Sequence, residues 1–152
     1  MVKICLISDS HGNRLKVENL LLNNKFDYVF FMGDGLKDFE NIEEIINLKK
    51  VSGNCDFFSF EAITQFTNVE GFKIMQTHGH EFRAKLTPLL MLEKAKNNYC
   101  DIVCFGHTHK QSAERIEGIL FINPGAFKNG EYAVLTLQKN EEPKVELLKL
   151  EK

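Results

Sequence analysis

The sequence predicts an α/β fold of two stacked mixed β-sheets with helices on the outside. Three observations predict it. The first third of the chain alternates short apolar runs with helix-spaced segments in the order βαβαβ, the pattern of a parallel sheet. The remainder is rich in strand-like runs joined by turns that contain glycine. Each strand of the βαβαβ part stops at a polar, glycine-containing loop, and in such sheets ligands gather beyond the carboxyl ends of the strands.

Taken in order, Val2 to Ile7 is a nearly continuous apolar strand, of the kind buried on both faces. It closes on Asp9-Ser10-His11-Gly12-Asn13, where Asn13 suits the N-cap of a helix over Arg14 to Asn23 that carries Leu15, Leu20, Leu21 and Leu22. Asp27 to Met32 is a second strand, ending at Gly33-Asp34-Gly35, whose glycines allow the backbone close to whatever Asp34 binds. Phe39, Ile42, Ile45 and Ile46 fall at helical spacing, and a short strand around Lys50 to Ser52 ends at Gly53-Asn54-Cys55-Asp56. Phe57 to Val69, Phe72 to Gln76, Asp101 to Cys104, Ala113 to Ile116, Ile119 to Ile122, Tyr132 to Gln138 and Val145 to Leu150 read as further strands. Glu70-Gly71 and Glu117-Gly118 read as hairpin turns, with Asn129-Gly130 the stronger signal. Thr87-Pro88 starts a helix that runs to about Asn98.

At 152 residues and 43% hydrophobic content, the chain is read as a single domain, residues 1–152, able to bury a core without staples. Net charge is −2 with no long basic block, so a polymeric nucleic acid held through its phosphates is not indicated, while a small phosphate ester is compatible. The four cysteines show no C-x-x-C pair, and Cys5 and Cys104 fall inside apolar strands, as reduced thiols of a cytoplasmic protein do. No apolar run approaches the ~18 residues of a membrane span, so no membrane partner is expected.

All five histidines sit in short glycine-flanked motifs that close predicted strands: His11, the pair His78 and His80 in Thr77-His78-Gly79-His80, and the pair His107 and His109 in Phe105-Gly106-His107-Thr108-His109. With the strand-end carboxylates they give a candidate ligand set of Asp9, His11, Asp34, Asn54, His78, His107 and His109. Nitrogen and oxygen donors suit Mn²⁺, Fe²⁺, Ni²⁺, Co²⁺ or Zn²⁺ and argue against an iron–sulfur cluster or a structural zinc. Seven ligands exceed one ion's needs; with one carboxylate shared they make two sets of four. Two divalent ions ~3.5–4 Å apart are the usual device for in-line displacement at phosphorus.

The ordered set Asp-x-His, Gly-Asp-Gly, Gly-Asn, His-Gly-His and Gly-His-Thr-His, together with Asn123-Pro124-Gly125, resembles the calcineurin-like metallophosphoesterases, within them the small single-domain phosphodiesterases of bacteria and archaea. The resemblance spans Ser8 to Ala126 and implies a four-layer αββα sandwich. It implies that Asp9, His11, Asp34 and His109 hold one metal ion and Asp34, Asn54, His78 and His107 the other, with Asp34 bridging. The cofactor expected is a pair of divalent ions, Mn²⁺ first, and the reaction is attack on phosphorus by a hydroxide held between them. Asp34, Asn54 and His107 form the expected catalytic set, with His107 the extra contact to phosphate.

The resemblance departs at one point. Many larger members read Gly-Asn-His-Glu, whose histidine assists the leaving oxygen, where this chain has Gly53-Asn54-Cys55-Asp56. His80 and Asp56 are the nearest replacements by motif position, although a structural role is the commoner fate of such a histidine. The family's Asn-Pro-Gly-Ser ends here in Ala126. Phe57, Phe58 and Phe60 could stack on a base, but packing into the core is the expectation; Lys37 and Arg83 are read as solvated charges, and Asn123-Pro124-Gly125 as a turn shaping the pocket floor. Two rivals accompany the phosphodiesterase reading. One is a phosphomonoesterase acting on a nucleotide or small metabolite. The other is a non-catalytic interaction scaffold, as in a eukaryotic retromer subunit of the same resemblance. Exposed strands in the second half leave room for a homodimer.

Overall fold

A computed structural model describes residues 1–57 and 59–150, and among these described residues are ten strands and two α-helices. The strands are β1 (Val2–Ile7), β2 (Tyr28–Phe31), β3 (Leu48–Lys50), β4 (Thr64–Val69), β5 (Phe72–Thr77), β6 (Ile102–Cys104), β7 (Ser112–Ile116), β8 (Ile119–Asn123), β9 (Glu131–Leu137) and β10 (Lys144–Lys149). The helices are α1 (Arg14–Asn23) and α2 (Leu89–Asn97). One five-stranded sheet has the order β10-β9-β1-β2-β3 and the other β4-β5-β6-β8-β7. Both are mixed: β1, β2 and β3 run parallel with β9 antiparallel to β1, and β5, β6 and β8 run parallel between antiparallel β4 and β7.

Three apolar layers explain why the strands read as continuous hydrophobic runs. Ile4, Leu6 and Phe30 of the first sheet meet Ile74, Ile102 and Leu120 of the second in the central layer. The alternate residues Cys5, Ile7, Val29 and Phe31 face Val17, Leu20 and Leu21 of α1. Met75, Val103 and Phe121 on the far side of the second sheet face Met91, Leu92 and Ala95 of α2. The result is helix, sheet, sheet, helix, as the resemblance implied. Central strands with both faces covered have no polar side to show.

Several expectations are corrected. The segment from Phe39 to Ile46 is not an α-helix: Leu36–Phe39 is a 3₁₀ turn, followed by turns with Ile42 N–H on the Phe39 carbonyl and Ile45 N–H on Ile42. Its start is tied to the β1 loop, because Asp38 accepts from Ser10 Oγ at 2.6 Å and Gly12 N–H at 3.0 Å, and Ile45 ends up exposed. The third strand lies at Leu48–Lys50 rather than Lys50 to Ser52. The expected strand from Phe57 begins only at Thr64, since the preceding residues carry the chain from one sheet to the other. Asn129-Gly130 closes no hairpin. Phe127–Asn129 is a 3₁₀ turn capped by Gly130, and β8 and β9 belong to different sheets. Asn13 stands at the N-cap, but its side chain turns back to the Ser10 carbonyl; Leu15 and Leu22 of α1 are exposed, and Val17 is buried instead. Glu70-Gly71 and Glu117-Gly118 do join antiparallel neighbours, with positive φ at both residues of each turn, as the tight hairpin requires. Thr87 Oγ1 accepts the Leu89 N–H at 3.2 Å at the start of α2.

Buried Gln76 joins the two sheets. From β5 its amide nitrogen donates to the carbonyls of Phe31 and Lys49, at 2.8 and 2.7 Å, across the central layer near the loops that end β2 and β3. Gln76→Leu keeps the volume but leaves those carbonyls without that donor. We expect it to lower the unfolding free energy by about 2 kcal/mol, measured as a lower urea midpoint at unchanged slope.

Candidate metal centre

The loops that follow β1, β2, β3, β5 and β6 all leave the same edge of the two-sheet stack, and they bring the strand-end residues together. Asp9, His11 and His109 form one group able to hold a metal ion; Asp34, His78 and His107 form a second. Asp9 Oδ1 lies 3.2 Å from His109 Nε2, 3.6 Å from His11 Nε2 and 3.9 Å from His78 Nε2. Asp34 Oδ2 lies 3.2 Å from His78 Nε2 and 3.8 Å from His11 Nε2, so it stands between the two groups. Asn54 is at the exposed rim, its amide nitrogen 3.6 Å from Cys55 Sγ. His80 stands beside the second group, its ring 5.4 Å from that of His78 and 6.2 Å from that of His107.

The loops hold these side chains at a cost in backbone energy. Asp9, His11, Asp34, His107 and His109 all have positive φ, between 44° and 68°. A non-glycine residue there is strained, and such residues concentrate where a site over-determines the chain. The glycines of the motifs serve a purpose other than access to a ligand. A Cβ on Gly33 would sit 2.6 Å from the Gly53 nitrogen, and one on Gly53 would run into the Asp34 carboxylate. The β2 and β3 loops therefore touch each other through bare backbone, and Gly33 and Gly53 let them.

Hydrogen bonds fix each carboxylate on one side and leave the other side free. Asp9 Oδ2 accepts from Ser8 Oγ at 2.6 Å and from the His107 N–H at 3.1 Å; Oδ1 is buried with no partner. Asp34 Oδ1 accepts the Cys55 N–H at 2.7 Å, and Oδ2 faces the imidazoles. His78 is buried, and its Nδ1 lies 2.7 Å from the Met32 carbonyl, an acceptor, so Nδ1 carries the proton and Nε2 points into the cluster. Burial works to raise Asp34, but hydrogen bonding and charge from His78, the Cys55 N–H and His11 outweigh it and hold the carboxyl well below its usual range. Burial works to lower His78, yet Asp34 and Asp9 keep it above the ordinary histidine value. Burial, His78 and Lys85 push His107 down to about 4.

Asp56 has a role that motif position does not reveal. Its Oδ2 accepts the N–H groups of Asp34 and Gly53 at 2.7 and 2.8 Å, and its Oδ1 those of Gly35 and Leu36 at 2.8 and 3.1 Å. Both oxygens are thus engaged in clamping the β2 loop to the β3 loop, which removes Asp56 from the candidates for a leaving-group acid. Asn123 is likewise more than a turn residue: its amide donates to Thr108 Oγ1 at 2.8 Å, bracing the loop that carries His107 and His109, while its oxygen accepts the Gly125 N–H. Cys55 is exposed, and slight burial and the Asp34 charge push its thiol up, so it stands as a neutral thiol and not a nucleophile. Phe57 is 76% exposed and Phe60 wholly so, against the expectation of core packing; Phe58 lies outside the described residues.

The profile of the calcineurin-like phosphoesterase superfamily domain matches residues 2–140. The chain belongs to this superfamily. Among relatives of this calcineurin-like domain, phosphodiesterase MJ0936 of Methanocaldococcus jannaschii is 30% identical over 147 residues, covering 82% of this chain and 83% of that protein. Vacuolar protein sorting-associated protein 29 of Schizosaccharomyces pombe is 30% identical over 114 residues, 73% of this chain and 61% of that one. A Streptococcus pneumoniae crystal structure, described as a predicted phosphoesterase, superposes with a TM-score of 0.82 at 29% identity, covering 97% of this chain and 89% of the other. Membership and the two carboxylate–imidazole groups make this calcineurin-like chain a metal-dependent phosphoester hydrolase. Among the described residues, no helix is long and apolar enough to cross a membrane.

Proposed function

We propose that the chain is a phosphodiesterase whose centre holds two divalent ions, Mn²⁺ first among them. Asp9, His11, Asp34 and His109 would hold one and Asp34, Asn54, His78 and His107 the other. The observation that carries this reading is the pair of oxygens aimed into the cluster, Asp9 Oδ1 buried without a partner and Asp34 Oδ2 between the two groups. Asp9 Oδ1, buried with no hydrogen-bond partner and facing imidazole Nε2 atoms, is poorly placed unless a cation lies between them. A set of nitrogen and oxygen donors with no thiolate suits Mn²⁺, and equally Fe²⁺, Co²⁺, Ni²⁺ or Zn²⁺. Bound ions supply Lewis acidity toward phosphoryl oxygens and a water of lowered pKa.

The chain's own residues then have separable tasks. Ser8 and the His107 N–H orient Asp9, Cys55 N–H orients Asp34, and the Met32 carbonyl fixes which nitrogen of His78 is presented. Since Nδ1 is committed to Met32, Nε2 is the atom that would be presented to a cation. His107 is half-buried at the rim, which supports the reading that it would also meet a phosphoryl oxygen. With Asp56 engaged on backbone, help for the leaving oxygen falls to His80 or to the ester itself, and esters with good leaving groups are the better substrates.

Hydrolysis of bis(4-nitrophenyl) phosphate tests the reading. Chelator-stripped protein is expected to fall to the uncatalysed background and to recover on adding Mn²⁺. If the stripped protein rebinds Mn²⁺, Ni²⁺, Co²⁺ or Zn²⁺ and still turns over no ester, the chain is an interaction scaffold of this fold.

A further inference from the structure

A groove of about 720 Å³ opens directly from the metal centre, bounded on one side by the 3₁₀ segment after β2 and on the other by the loop after β3. His11, Asp34 and Cys55 belong both to the centre and to the groove lining, so a group bonded to a phosphorus at the centre would enter the groove. That volume suits one medium-sized organic group. At its mouth stand Phe57 and Phe60, two large apolar rings left in solvent where a core strand would have buried them. Leu36 adds an apolar patch to the lining.

The charges along the groove are largely engaged with one another. Lys50 Nζ lies 2.7 Å from Glu43 and 3.4 Å from Glu61, and Arg14 reaches Glu40 at 3.4 Å. Ser10 and Gly12 already bind Asp38. Lys37 is the remaining cation among the lining residues, beside a majority of carboxylates. A di- or triphosphate tail needs several converging cations, and this groove offers no such cluster.

We infer that the groove is the substrate's organic-group subsite, taking a flat, neutral aromatic group of a phosphodiester against Phe57 and Phe60. This deepens the phosphodiesterase reading and rests on it. Stacking of a base on aromatic side chains is sequence-tolerant, and its loss is felt as roughly a tenfold weakening per stacked group.

The test compares 4-nitrophenyl esters that share one leaving group and differ in the retained group: methyl, phenyl, or thymidine joined through its 5′ oxygen. The kcat/KM ratio of phenyl to methyl is measured for the Mn²⁺-loaded protein and for the Phe57→Ala/Phe60→Ala variant. The ratio is expected to fall about tenfold in the variant. Intrinsic ester reactivity and any general loss of activity cancel in this comparison. The thymidine ester tells a nucleoside from a simple aryl group: a thymidine-to-methyl ratio above the phenyl ratio in the wild type, lost in the variant, assigns the subsite to a nucleobase. Binding gives a second readout without turnover. Diphenylphosphinate and dimethylphosphinate carry no cleavable ester bond, and calorimetry should find the former about tenfold tighter in the wild type only. An unchanged ester ratio, or a phosphinate preference that survives both substitutions, overturns the subsite while leaving the phosphodiesterase intact. Failure to hydrolyse any of the three esters, with neither phosphinate bound, overturns both.

Discussion

Asp34→Asn is expected to abolish nearly all phosphodiester hydrolysis, by on the order of 10³-fold or more. The argument is local. In the native protein Asp34 Oδ1 accepts the Cys55 N–H, and Oδ2 is directed between His78 and His11. The asparagine oxygen will keep the Cys55 bond, because only it can accept. Its NH₂ must then occupy the Oδ2 position, presenting hydrogens where the cations are to sit. One substitution therefore weakens both ion sites, unlike a change at His109 or His78, each of which belongs to one group. Equilibrium dialysis should find less than one tightly held Mn²⁺ per chain, while the urea midpoint of the metal-free protein moves little. Full metal retention, or an activity loss of only a few-fold, would remove Asp34 from the bridging position.

The second large effect lies at a residue that touches no ligand atom. Asp56→Asn should lower activity by about 10- to 100-fold, the range typical for groups that orient metal ligands, and lower stability by about 2–4 kcal/mol. Each Asp56 oxygen accepts two backbone N–H groups. Asparagine can satisfy only one of those pairs, because its NH₂ will meet N–H donors on the other side. Aspartate to asparagine is thus no milder here than aspartate to alanine, which leaves room for water to solvate the stranded donors. Clearly better stability of the asparagine variant than of the alanine one would refute a four-bond clamp. Since the clamp acts through the Asp34 loop, added Mn²⁺ at high concentration should restore part of the lost rate in either variant, which it would not do for a group that touches the reacting phosphate.

What was legible beforehand follows from which interactions are local. Apolar runs such as Ile4 to Ile7 and Ile102–Cys104 reveal strands because burial on both faces leaves them no polar position. The hairpins at Gly71 and Gly118 are legible because two residues fix the turn. Phe39 and Ile42 misled because both are indeed buried, yet on successive tight turns pinned by Asp38 to a distant loop. Asn129-Gly130 misled because a turn dipeptide cannot report that its flanking strands sit in different sheets. At the centre, spacing pointed to the histidines and carboxylates that converge, but not to the clamp at Asp56 or the brace at Asn123. Asp56 acts on backbone N–H groups of the β2 loop, which carry no side-chain signature, and Asn123 acts on a threonine hydroxyl that spacing does not single out. Phe57 and Phe60 were misread for a related reason: aromatic character alone does not distinguish a ring for the core from one held at the mouth of a groove.

The placement of β9 has a consequence for biosynthesis. It pairs with β1 through contacts such as Leu6 with Ala133, so β1 is completed by a strand made long after it. At typical ribosome speeds the β1 edge waits on the order of ten seconds for its neighbour. During that interval its backbone groups are open to pairing with other nascent chains, and its apolar residues depend on chaperones for cover. Asp9, at the end of that strand, meets His107 and His109 only after the chain has emerged well past them. Metal loading of the group that joins Asp9 to His109 therefore follows synthesis of both histidines, and a donor set that accepts several divalent ions takes the one available at that stage.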